Sequence, residues 1–356
     1  MPETQMSEQE LFRAYRPLLF SIAYRMLGSV MDAEDCVQEA FLQWREAVAR
    51  IPATPIENPK AYLCTLVTRR CIDHLRSAQA QRESYVGLWL PEPLITADPS
   101  ELSELTESLS MAFLLLLERL SPLERAVFIL RQVFDYDYAE IATIVDKSAT
   151  YCRQVMRRAR QHLTLPHSNS QMSREEQQQI FMQFLQACQE GDIEGLVRVL
   201  SEKVVLHTDG GGQLGAARNP LVGPDRIARY LLGIQRKFLR LSDFTLRPVL
   251  INGQPGIIGY PHSDGFLQEL LSTLEEERGE RAGRRETTRQ QIELYRHAIE
   301  KEEPLFAIAL TLAEKQIQEI DIIVNPEKLR HIPGRSVAEE KAKGGNYDSR
   351  RKQEER

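Results

Sequence analysis

The 356-residue chain has no long apolar run. Its longest, Met111–Leu117, is far short of the roughly 20 residues that a membrane-spanning helix needs. The opening segment, MPETQMSEQE, has neither a basic start nor an apolar core, so no secretory leader is expected. Cysteine is scarce: Cys36, Cys64, Cys71, Cys152 and Cys188 form no CxxC pair, and their number is odd. That argues against a disulfide frame and a zinc site, and for free thiols in a reducing cytoplasm. A phosphate loop is missing too. Asp209-Gly210-Gly211-Gly212 invites that reading, but Gln213-Leu214-Gly215 follows, with neither the GxxxxGK[ST] nor the GxGxxG spacing. No internal repeat is evident. No metal or cofactor is expected.

What is present is a charge pattern. The net charge of −6 would by itself argue against a nucleic-acid partner. Its distribution does not. Between Lys147 and Arg174 lie six basic residues and no acid. Between Asn58 and Arg82 lie five basic residues against Asp73 alone. Two basic surfaces in an acidic chain fit a modular polyanion binder.

The first 165 residues carry helical periodicity. Helices are expected over Leu11–Leu27, Ala33–Ala49 with Asp32 as N-cap and Val48 buried, and Lys60–Gln81. Others follow from Met111, Leu123–Phe134, Tyr138–Val145 and Ser148–Leu163. From residue 174 two helices precede short strand-like runs at Lys203–Thr208, Gln213–Ala217, Phe244–Ile251, Gly256–Tyr260, Leu305–Leu312 and Ile317–Val324, interrupted by a helix at Pro224–Leu239. That is an α+β domain. Residues 262–303 are charged and depart from strand character, an exposed helical insertion. The tail after Pro333 is expected to be disordered. The triple glycine is expected to turn tightly between strands, its surplus glycine allowing close approach by another backbone.

Tyr138–Leu163 carries the most chemistry. Its second helix has an inward stripe of Cys152, Val155, Met156, Ala159 and Leu163. Opposite lie Arg153, Gln154, Arg157, Arg158 and Arg160. Long cations neutralise phosphates, and Arg and Gln can pair with base edges in a major groove. A solvated surface helix is the bland alternative, but such helices usually mix charge signs.

LSPLERAVFILRQVFDYDYAEIA (120–142) and the KSATYCRQVMRRARQH that follows resemble region four of extracytoplasmic-function (ECF) sigma factors. MDAEDCVQEAFLQW (31–44) and NPKAYLCTLVTRRCIDHLRSA (58–78) resemble region two. WLPEP (89–93), EGDIEGLVRVLSEKVVLHTDGGGQLGA (190–216) and NPEKL (325–329) resemble three signatures of the ECF group that carries a C-terminal SnoaL-like domain. The resemblance implies two all-α sigma domains at 8–82 and 109–165, a linker at 83–108, and an α+β SnoaL-like domain at 174–332 with a cone-shaped, ketosteroid-isomerase-like fold. Residues 333–356 form the tail. Asp146 and Lys147 stand where many members have glycine and an apolar residue.

By this resemblance the chain directs promoter-specific initiation by RNA polymerase and is a monomer when free. Asp35, Gln38 and Glu39, which share one helix face, dock on the β′ clamp helices, and the β flap is a second contact. Lys60, Tyr62, Arg69, Arg70 and Arg76 serve the −10 element, although Tyr62 equally suits a core position. Ser148, Thr150, Tyr151, Arg153, Gln154, Arg157 and Arg158 serve the −35 element. Trp89, Pro91, Glu92, Pro93, Asp209, Gly210, Gly211, Gly212, Asn325, Pro326 and Lys328 form the regulatory set. The fold's enzyme relatives keep a second possibility open: a pocket that binds or converts a small hydrophobic ligand, with His207, Asp209, Asp243, Tyr260 and His262 as acid–base groups.

Overall fold

The computed structural model describes residues 7–50, 56, 58–83, 85, 87–96, 109–163, 172–212, 216–217, 219–237, 244–261 and 285–336. The chain divides into two compact units. One comprises residues 1–85 with 100–167, the other residues 86–99 with 168–356. The described residues 87–96, the WLPEP stretch included, therefore pack as part of the second unit.

The first unit is helical: α1 (Glu8–Leu27), α2 (Val30–Arg50), α3 (Pro59–Glu83), α4 (Met111–Leu117), α5 (Pro122–Gln132), α6 (Tyr138–Val145) and α7 (Ala149–His162). Local chemistry sets most of these boundaries. Ser7 and Glu10 form a capping box at α1, and Gly28 ends that helix in the left-handed region at φ 67°. Ser121 and Glu124 do the same for α5, with Pro122 in its first turn. The expected cap Asp32 lies inside α2. Its N–H donates to the Ser29 hydroxyl at 3.1 Å, so serine caps here. Val37, Ala40, Phe41 and Trp44 are buried as their spacing predicts, but Val48 is 44% exposed.

The second unit begins with β1 (Ile95–Thr96), followed by α8 (Arg174–Glu190), α9 (Ile193–Val199), β2 (Leu200–Asp209), β3 (Leu221–Val222) and α10 (Pro224–Lys237). Then come β4 (Phe244–Ile251), β5 (Gln254–Pro261), α11 (Arg285–Glu300), β6 (Phe306–Ala313), β7 (Gln316–Ile323) and α12 (Pro326–Leu329). The described strands form one sheet in the order β1-β4-β5-β6-β7-β2-β3, antiparallel except for β2 beside β7. Helices α8, α9 and α10 pack one face through Phe181, Phe184, Leu196, Ile227 and Leu232 onto Leu206, Leu310 and Ile320.

Three expectations change. The strand at Gln213–Ala217 is not found: residues 216–217 are not strand, and 213–215 lie outside the described residues. The strand that pairs with β2 is Leu221–Val222, against Val205 and Leu206. The part of the insertion that is described is not simply exposed. Ala298 of α11 is buried, with Tyr295 and Ile299 against Phe244, Leu305 and Phe306. The start of the tail is also held. The Arg335 N–H donates to the Glu302 carbonyl at 2.9 Å, and its guanidinium pairs with the Glu302 carboxylate at 2.7 Å. Residues 262–284 and 337–356 lie outside the described residues.

Candidate nucleic-acid interface and linker clamp

α6 and α7 form a helix-turn-helix whose turn depends on Asp146. This residue takes φ 54°, and its N–H and that of Lys147 both return to the Ala142 carbonyl. An αL C-cap usually needs glycine, and aspartate is among the few other residues that tolerate it. The turn is thus made without the family's glycine. Asp146→Gly is expected to leave stability unchanged or raise it by up to about 1 kcal/mol, whereas Asp146→Val should cost about 1–2 kcal/mol. Thermal unfolding of the full chain checks both.

Cys152, Val155, Met156 and Ala159 of α7 are buried, and Ser148, Thr150, Tyr151, Arg153, Gln154, Arg157 and Arg158 are exposed. The Ser148 hydroxyl accepts the Tyr151 N–H at 3.1 Å and caps α7. Arg153 lies over the Tyr138 ring at 5.2 Å and Arg158 over Tyr151 at 5.8 Å. These contacts hold two guanidiniums on one exposed face. That face is an exposed basic surface.

On α2, Asp35 and Gln38 are exposed and Glu39 is half-buried. Glu39 forms an ion pair with Arg70 of α3. A residue proposed for protein contact and one proposed for DNA contact are therefore partners here. Arg69 is engaged as well: its Nε donates to the Ile144 carbonyl at 2.8 Å and its Nη2 to the Thr143 carbonyl at 3.1 Å, capping the C-terminal end of α6. Arg76 pairs with Asp73 at 3.2 Å. Lys60 is exposed and Tyr62 half-buried. A groove of about 530 Å³ is lined by Gln43, Leu66, Arg69, Arg70, His74 and Ser77 among others. Periodicity and charge pointed to its arginines but not to His74, which faces Asp32 at 3.5 Å.

In the second unit the three separate signatures meet. Asp209, 1% exposed at the end of β2, accepts the Leu90 N–H through Oδ2 at 2.8 Å and the Gly211 N–H through Oδ1 at 3.0 Å. The same Oδ2 takes an ion pair from Lys328 Nζ at 2.6 Å. Lys328 also donates to the Leu90 carbonyl, and its ammonium lies 4.1 Å from the centre of the Trp89 ring. One strand-end carboxylate and one helix lysine thus grip both backbone polar groups of a single linker residue, Leu90. Further along, Asn252 receives the Leu94 N–H at 3.0 Å, and His331 Nε2 donates to the Pro93 carbonyl at 2.9 Å. Pro91, Glu92 and Pro93 are buried. Thr96 and Ile95 finish the stretch by pairing with β4.

The glycines serve this clamp. Gly211 takes φ 62° and Gly212 φ 74°. A Cβ on Gly211 would stand 2.7 Å from the Asn325 side chain, whose Oδ1 caps α12 through the Glu327 N–H. The close approach is therefore by Asn325 of the unit itself. Gly211→Val should cost about 2–3 kcal/mol, from a β-branched residue at positive φ plus the clash. A lower midpoint for the second unit in urea unfolding would register it.

Among the described residues, two of the acid–base candidates are engaged in other contacts. Asp209 is committed to the clamp, and the Tyr260 hydroxyl donates to the Pro333 carbonyl at 3.0 Å. Asp243 and His262 lie outside the described residues. His207 has partners that the strand pattern alone did not reveal, Glu319 and Asp321 of β7. Burial draws the His207 pKa down, but the two carboxylates outweigh it and hold the imidazole above its ordinary range. Burial pushes the Asp321 carboxyl above its ordinary range, against the opposing pull of His207.

Comparison with known proteins accounts for both units. The family models for Sigma-70 region 2 and Sigma-70, region 4 match residues 11–81 and 110–163. The chain is 35% identical over 262 residues to the ECF RNA polymerase sigma factor SigJ of Mycobacterium tuberculosis, covering 72% of this chain and 82% of that protein. It is 32% identical over 226 residues to the probable ECF RNA polymerase sigma factor SigI of the same organism, covering 62% and 74%. The crystal structure of Mycobacterium tuberculosis SigJ matches with a TM-score of 0.63 at 28% identity, over 90% of this chain and 97% of that one. This match runs through the sheet unit, which has the SnoaL-like fold. No described helix is long and apolar enough to cross a membrane. The chain belongs to the ECF RNA polymerase sigma factors, with the paired helical regions of that family and a SnoaL-like unit at its C-terminal end.

Proposed function

We propose that this sigma factor is regulated in cis by its own C-terminal unit, which acts by gripping the linker between the two DNA-binding regions. The buried Asp209–Lys328 pair on the Leu90 peptide carries this reading. Such a contact fixes residues 87–96 against the sheet unit. The stretch then cannot take an arbitrary path between regions two and four.

In this scheme Asp35, Gln38 and Glu39 offer an acidic and amide face to the β′ clamp helices of the polymerase core, and region four meets the β flap. Lys60, Tyr62, Arg69, Arg70 and Arg76 serve the melted −10 strand, which needs cations for its backbone and stacking or apolar surface for an unstacked base. Arg70 would leave Glu39, and Arg69 would leave the α6 carbonyls, in any state where both serve DNA. The exposed face of α7 serves the −35 element.

Run-off transcription with purified core polymerase tests the scheme. The full chain is compared with Lys328→Met and with a chain ending at Ser173. Altered promoter output or core affinity is the expected result. Identical output and affinity in all three would overturn regulation through the clamp while leaving family membership intact.

A further inference from the structure

Strands β2 and β7 run parallel, with His207 opposite Asp321. The two-residue period of β7 places Glu319 on the same face as Asp321. His207 Nδ1 lies 2.9 Å from Glu319 Oε1 and 2.9 Å from Asp321 Oδ1. All three donor atoms fall within 4.8 Å of one another. Their side chains are 14%, 16% and 0% exposed.

This cluster is poorly served by hydrogen bonding alone. One imidazole nitrogen carries at most one hydrogen, yet two carboxylate oxygens converge on it. Two carboxylates against one imidazole leave surplus acceptor capacity in a buried place. Asp321 Oδ2 shows this directly: it is fully buried and has no hydrogen-bond partner among the described residues. Buried polar atoms are rarely left in that state, and an unplaced ion is one standard reason.

We infer that His207, Glu319 and Asp321 form a binding site for a divalent first-row transition-metal ion, with Asp321 able to supply both oxygens. An ion with bonds of about 2.1 Å in octahedral geometry holds neighbouring donors about 3.0 Å apart, which matches the spacing from the imidazole to each carboxylate. One nitrogen and carboxylate oxygens suit manganese, iron, cobalt, nickel or zinc rather than the thiolate-preferring copper(I), and imidazole disfavours magnesium and calcium. Three protein ligands leave coordination positions for water or a further ligand. The ion would tie β2 to β7 just ahead of the residues that hold the linker. Asp209 lies two residues beyond His207 on β2, and Asn325 and Lys328 follow shortly after β7.

The test uses the full chain, stripped with a chelator and titrated with Co²⁺. The five cysteines are potential competitors, and optical absorption separates them. Thiolate ligation adds an intense near-ultraviolet charge-transfer band, whereas nitrogen and oxygen ligation gives only weak visible bands. The expected result is one equivalent of Co²⁺ without the thiolate band and a higher unfolding midpoint. Asp321→Asn and His207→Gln should weaken binding at least tenfold. Glu319→Gln, on the most exposed of the three side chains, should weaken it measurably if either of those fails to fold. Uptake accompanied by the thiolate band, no uptake at submillimolar Co²⁺, or equal uptake by the folded variants would overturn the site.

Discussion

Lys328→Met is expected to destabilise the second unit by about 3–5 kcal/mol, because it strands the Asp209 carboxylate in the interior. Lys328 is 6% exposed and Asp209 1% exposed, so solvent cannot replace the lost ammonium. Two N–H donors would remain on Asp209, from Leu90 and Gly211, but the opposite charge would not. Against a typical domain stability of about 5–15 kcal/mol, this loss is large. The effect should concentrate at the linker, where the Leu90 carbonyl loses its donor and Trp89 loses the cation on its ring. Trp89 and Trp44 are the only tryptophans, so a Trp44→Phe background makes Trp89 a single fluorescence reporter. Urea unfolding followed by that signal, with hydrogen exchange at the Leu90 amide, measures both consequences. Adding Asp209→Asn to Lys328→Met should recover part of the loss by removing the unpaired charge. If Lys328→Met unfolds like the parent and Leu90 exchanges at the parent rate, the clamp does not hold the linker.

The clamp also shows where sequence reading stops. The short helix capped by Asn325 is absent from the sequence reading, whereas the turn chemistry of Asp209 is legible, since that residue bonds its own following backbone. That Asp209 should meet Lys328 and Leu90, each 119 residues away, is not. It follows from β2 lying parallel to β7, a non-local pairing that no periodicity encodes. The same parallel pairing hid Glu319 and Asp321 from the reading of His207. In QIQEIDII each face of β7 carries two polar residues and two isoleucines, so the pattern marks neither a polar face nor the strand that lies beside it. The helical unit was easier to read because its signals are local: capping boxes, a 3.6-residue stripe and helix-ending glycine. The errors in both units were local as well. Val48 fits the α2 stripe but lies in the last turns of that helix, where the described residues leave it exposed. Gln213–Ala217 looked like a strand by composition, yet the neighbour that β2 accepts is Leu221–Val222.

The second large effect is expected on α7. Arg153→Ala with Arg157→Ala should lower promoter-dependent transcription on the order of 100-fold, with no comparable loss of stability. Both side chains are exposed, and neither contributes to the stripe of Cys152, Val155, Met156 and Ala159 that anchors the helix. A guanidinium paired bidentately with a base is worth about 1–3 kcal/mol, so two such losses reach that factor. The single variants should differ in kind. A side chain that reads a base changes the preference at one −35 position. One that meets phosphate weakens all sequences alike and reduces the salt slope by about 1. Arg153 and Arg131 both lie over the Tyr138 ring, so Tyr138→Ala should weaken binding mainly through Arg153 and add little to Arg153→Ala. Run-off transcription across a set of −35 variants and two salt concentrations measures each of these outcomes. Unchanged transcription from the double variant, with the polymerase complex still formed, would remove α7 from promoter recognition.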